Sequence, residues 1–92
     1  MSIEVRIPTI LRQHTKGEKL VSGEGETLAE LFDHLDAANN GLKARVVTEE
    51  GALHRFVNVY INDEDVRFIG GLEAKLSDGD QVTILPAVAG GM

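Results

Sequence analysis

Between residues 27 and 38 the chain carries Leu28, Leu31, Phe32 and Leu35 at i, i+3, i+4 and i+7. That spacing predicts a helix with a single apolar stripe, which has to be buried against another element. Thr27 with Glu30 three residues later predicts a capping box, each side chain satisfying an orphan backbone donor of the first turn. Asn39-Asn40-Gly41 supplies residues that tolerate the left-handed conformation and stop the helix. What the stripe can pack on is set by the rest of the chain, where the apolar period is two.

Ile3, Val5 and Ile7 alternate with Glu4 and Arg6, the pattern of a half-buried strand. Pro8 interrupts its ladder, with Ile10 and Leu11 expected to resume it after a bend. Residues 13–17 read as a turn. Residues 19–22 read as the return strand, with Leu20 or Val21 facing inward and Gly23-Glu24-Gly25 breaking it. Beyond the helix, residues 42–47 predict a short helical turn and Glu49-Glu50-Gly51 a polar loop. Residues 56–61 predict a strand with Val57, Val59 and Ile61 on one face. Asn62-Asp63-Glu64-Asp65 predicts a polar turn into a short strand at 66–68, which Gly70-Gly71 breaks. Asp78-Gly79-Asp80 leads into a final strand at 81–85, with Val82 and Ile84 inward, and Pro86 ends its ladder. This order predicts an α+β domain over residues 1–86, a mixed sheet with one main helix packed on one face. That is the β-grasp arrangement of ubiquitin-like proteins, and residues 87–92 follow it as a flexible tail.

Ninety-two residues allow one modest core. The chain has no cysteine, so no side chain can serve as a thiol nucleophile, redox centre or thiolate ligand. Fifteen acidic residues against nine basic ones give a net charge of −6, which disfavours nucleic acid and anionic lipid and favours a partner with a basic face. No signal-peptide core precedes the first strand, and no run approaches the roughly eighteen apolar residues of a membrane span. A soluble, cytoplasmic protein is expected.

Catalytic constellations are missing. His14, His34 and His54 lack any metal-ligand spacing, and Asp63-Glu64-Asp65 lacks the spacing and closing glutamate of a calcium loop. Asp33 and Asp36 beside His34 read as the solvated face of the helix. Gly23-x-Gly25 falls short of a phosphate loop, and Glu24 and Glu26 would repel phosphate. The expectation is a protein that is not an enzyme, with no metal site and no bound cofactor.

The informative remainder is the tail, Ala87-Val88-Ala89-Gly90-Gly91-Met92. A diglycine packs nothing and frays, but it threads through gaps that admit only main chain. Such a tail is poor for stability and well shaped for insertion, which marks the terminal carboxyl as the reactive group.

Residues 7–12, 53–68 and 78–91 resemble the prokaryotic ubiquitin-like sulfur carriers, among them the thiamine-pathway and molybdopterin-pathway carriers. The likeness covers nearly the whole chain. The turn at residues 76–80, with the strand and diglycine after it, is specific for the superfamily. Residues 54–68 point to the branch that serves cysteine synthesis. The resemblance implies that an E1-like adenylyltransferase and sulfurtransferase uses ATP to activate Gly91 as an acyl-adenylate. Sulfur then displaces AMP to leave a thiocarboxylate, which a cysteine-synthase-like enzyme accepts. Extended, residues 87–91 would hold Gly91 about 15–20 Å from the domain. Met92 departs from the family pattern, because while it remains the Gly91 carbonyl is an amide. The resemblance therefore implies a precursor, matured by a JAMM-type metalloprotease.

Leu85 matches the family position before the tail proline that touches the activating enzyme. With Thr83, Phe56, Asn58 and Tyr60 it is expected on the sheet face away from the helix, and Leu85, Pro86, Phe56 and Tyr60 are the expected docking residues. The alternative for Phe56 and Tyr60 is a minor second core under the long first loop. The alternatives are a ubiquitin-like interaction module or protein modifier with no sulfur chemistry, and a thiamine or molybdopterin recipient.

Overall fold

The computed structural model describes residues 2–39, 41–55 and 57–86, so the expectations placed on Asn40, Phe56 and residues 87–92 lie outside it. The alternating residues at the start form β1 (Ile3–Arg6), with Ile3 and Val5 buried and Glu4 and Arg6 exposed. β2 (Leu20–Gly23) returns antiparallel to it, Val5 opposite Val21. After the helices come β3 (Val57–Ile61) and the short β4 (Glu64–Asp65), and β5 (Gln81–Pro86) closes the domain. β5 runs parallel to β1, Val5 opposite Val82, and antiparallel to β3, Val59 opposite Ile84. The sheet order is β2-β1-β5-β3-β4, a mixed β-grasp sheet whose C-terminal strand lies at its centre.

α1 (Leu28–Ala38) buries all four residues of its stripe. They join Ile3, Val5, Val57, Val59, Val82 and Ile84 in one core. At about 1.5–3 kcal/mol for each large apolar side chain removed from water, this layer is the main source of the fold's stability. The cap forms largely as the sequence predicts. Thr27 Oγ1 accepts from Glu30 N, but Glu30 Oε1 reaches one residue further back and accepts from Glu26 N at 3.0 Å. The start of α1 is also tied to the chain before β5, because Leu28 N donates to Ala74 O and Leu76 N donates to Glu26 O. α2 (Leu42–Val46) adds Leu42 and Val46 to the core. It is held by Asp36 of α1, whose Oδ1 accepts from Gly41 N and Lys43 N, and by an ion pair between Lys43 and Asp33.

Four expectations need correction. Residues 9–14 do not resume a strand. They form a 3-10 helix that buries Leu11 and leaves Ile10 60% exposed. The ladder ends at the bond from Ile7 N to Lys19 O, and Leu11 N turns back to Pro8 O instead. Residues 66–68 are likewise a 3-10 turn, because the strand ends at Asp65, whose side chain accepts from Arg67 N and curls the chain. The hairpin before it closes in two residues, Asn62 and Asp63, both at positive φ (50° and 73°), as a type I′ turn demands.

The third correction concerns Gly23, which sits inside β2 opposite Ile3 and does not break the strand. A Cβ there would lie 2.7 Å from Leu31 Cδ1, so the glycine lets α1 approach the sheet. On β2, Val21 packs against the core and Leu20 faces solvent. Finally, the β5 ladder runs one residue further than predicted, through Pro86 opposite Val57.

Candidate functional site

The tail leaves from the best-supported strand of the sheet, since β5 is paired on both sides and its inward residues Val82 and Ile84 are buried. Side chains alternate along a strand, so Thr83 and Leu85 face away from α1. Register places Thr83 opposite Tyr60 and Leu85 opposite Asn58 on this open face. Leu85 is 45% exposed at its end, and Pro86 is exposed beside it. Tyr60 and Asn58 are half-buried. The neighbouring Arg67 guanidinium donates to Val57 O at 3.0 Å and to Asn58 Oδ1, which fixes that border of the patch. Of the expected docking residues, Leu85 and Tyr60 therefore share the open face, while Pro86, opposite the inward Val57, is exposed at the end of β5 beside Leu85. Phe56 and the tail residues Ala87, Val88, Ala89, Gly90, Gly91 and Met92 lie outside the described residues.

Several of the remaining polar candidates are occupied in holding the fold, whereas the buried Nε2 of His14 has no hydrogen-bond partner among the described residues. Asp80 accepts from Ser77 N and from Asn62 Nδ2, and Asp78 accepts from Ser2 N. His34 Nδ1 accepts from Glu24 N, and His54 Nε2 bonds Ala44 O. Among the described residues no three metal-ligating side chains come together. Gly25 has a packing role, because a Cβ there would lie 2.6 Å from Leu31 N. No described helix is long and apolar enough to cross a membrane.

One feature is not visible in the sequence pattern. The 3-10 helix at 9–14 and the edge strand β2 wall a groove of about 590 Å³, whose other side is formed by Leu85 and Pro86 at the tail exit. The expectation of a resumed strand hid it, by spreading Ile10 and Arg12 along a sheet edge. The available signal was the loss of alternation after Pro8.

The matches to known proteins extend over this whole architecture. Residues 5–91 match the ThiS family. The chain belongs to that family. A member from Mycobacterium tuberculosis, sulfur carrier protein CysO, is 56% identical over 99% of this chain and 100% of its own length. A solved Amycolatopsis orientalis BexX/CysO complex contains a chain 62% identical to this one, with a TM-score of 0.91 over 97% of this chain and 99% of that one. The crystal structure of Mycobacterium tuberculosis CysO gives the same TM-score at 55% identity, over 94% of this chain and 99% of that one. In this chain the central strand β5 is followed in the sequence by residues 87–92, which include Gly90 and Gly91.

Proposed function

We propose that this chain is a ubiquitin-like sulfur carrier, a protein substrate rather than an enzyme, whose reactive group is the carboxylate of Gly91 exposed by removal of Met92. The likeness to a protein named as a sulfur carrier, at 56% identity along the entire chain, carries the reading. The absence of cysteine agrees with it, because sulfur is then held on main-chain carbon. A carboxylate is a poor electrophile. An E1-like adenylyltransferase joins it to the α-phosphate of ATP and releases pyrophosphate. A sulfur nucleophile then attacks the acyl carbon and expels AMP, leaving a thiocarboxylate. ATP belongs to that enzyme, and this chain needs no bound cofactor.

The recipient is a cysteine-synthase-like enzyme, in keeping with the likeness to CysO. A JAMM-type metalloprotease removes Met92, and the setting is the cytoplasm. Leu85, Pro86 and Tyr60 form the docking patch, and Ala87, Val88, Ala89 and Gly90 form the tether. That a 62% identical relative stands in a complex with a second protein supports a surface built for protein partners.

The test is the intact mass of the chain ending at Gly91 after incubation with the host's adenylyltransferase, ATP and a sulfide source. An oxygen-to-sulfur mass change is the expected result. An unchanged mass, with a folded-surface partner still bound, would favour an interaction module instead.

A further inference from the structure

The groove beside the tail exit differs in charge from the rest of the molecule. Three of the chain's nine lysines and arginines, Arg6, Arg12 and Lys19, line it, and none of its fifteen acidic residues does. Excluding those three, six basic side chains face fifteen acidic ones, so a strongly acidic protein carries a local cationic channel. The cations are held by the fold. Arg6 projects from β1 onto the open face opposite Leu20, and Lys19 follows because Ile7 N bonds its carbonyl. Arg12 Nε donates to Ile7 O at 3.2 Å, which anchors the side chain at the wall. Among the described residues none of the three has an ion-pair partner, since the one such pair joins Lys43 to Asp33.

Between the charges the walls are apolar. Ile10 is 60% exposed, Leu20 40% and Leu85 45%, three of the four large apolar side chains this exposed among the described residues. Cations with interspersed exposed aliphatic groups match a protein segment that carries carboxylates and apolar side chains, and the charge complementarity would also speed encounter.

We propose that this groove binds an acidic segment of the enzyme that activates the tail, gripping the carrier at the root of the tether. This rests on the sulfur-carrier reading. Because Gly91 would sit about 15–20 Å away along an extended tail, the groove touches no reacting atom. Binding there contributes equally to ground and transition states, so it lowers KM and leaves kcat alone.

The experiment uses the full-domain chain ending at Gly91, the host's adenylyltransferase, ATP and sulfide, with thiocarboxylate formation followed by intact mass. Arg6→Glu with Lys19→Glu is expected to raise KM about tenfold at low salt with kcat unchanged, and the difference should shrink as salt rises. Lys75→Glu, an equal charge change per site outside the groove, is expected to shift KM less than twofold. Circular dichroism and thermal melts check that each variant stays folded. Wild-type protein that gains no sulfur would overturn the carrier reading itself. Wild-type protein that gains sulfur while the groove variant matches it in KM and salt dependence, or loses only kcat, would overturn the groove proposal alone.

Discussion

The two faces of the sheet put the same alternating strands to different uses. Under α1, the inward residues Ile3, Val5, Val59, Val82 and Ile84 are at most 1% exposed and meet Leu28, Leu31, Phe32 and Leu35. On the open face, their neighbours Arg6, Thr83, Leu85, Asn58 and Tyr60 stay half-buried or exposed. A closed face is specified by volume and hydrophobicity, and substitutions in it change stability. An open face with exposed aliphatic groups beside cations contributes little to stability and is available to a partner. β5 belongs to both, since Val82 and Ile84 anchor it while Thr83, Leu85 and Pro86 present the tail exit.

The sharpest way to test this contrast is Phe32→Ala, which leaves a void beneath the sheet. It should cost about 3–5 kcal/mol in urea unfolding. Gly25→Ala probes the same face through backbone approach, because the new Cβ would lie 2.6 Å from Leu31 N. A loss of about 1–3 kcal/mol is expected as α1 shifts outward. Thr27→Ala removes the side-chain cap on Glu30 N and should cost about 1 kcal/mol by the same assay. On the open face, Leu85→Ala should change stability by less than about 0.5 kcal/mol. It should nevertheless lower kcat/KM for thiocarboxylation by about tenfold, a loss near 1.4 kcal/mol of transition-state binding. Comparable unfolding losses for Leu85→Ala and Phe32→Ala would erase the distinction between the faces.

The closed face was legible because its residues obey one period per element. The 3.6 period of 28–35 and the period of two at 3–7, 57–61 and 81–85 each identify a buried side, and their order gives the β-grasp. What escaped were places where one local interaction overrides the pattern. Pro8 lacks a donor, so Ile10 and Leu11 enter a 3-10 helix although their side chains suit a strand. Asp65 bonds Arg67 N and converts residues 66–68 from strand to turn. Gly23 looks like a strand breaker because sequence shows its missing Cβ but not Leu31 and Leu35 occupying that space. The tail-exit patch was legible in part, since alternation alone puts Thr83, Leu85, Asn58 and Tyr60 on one side. The groove was not, because pairing of β1 with β2 sets Arg6 beside Lys19 but only the turn at Pro8 brings Arg12 to them.

Fragmentation mass spectrometry of the reacted chain tests most directly whether Gly91 carries the sulfur. Full-length protein and protein ending at Gly91 would be incubated in parallel with purified adenylyltransferase, ATP and sulfide, with no protease present. The shorter chain should gain its sulfur on the fragment containing Gly91 and nowhere else. The full-length chain, with Gly91 held in an amide by Met92, should gain none. Sulfur on full-length protein, or on any other fragment of the shorter chain, would contradict the account.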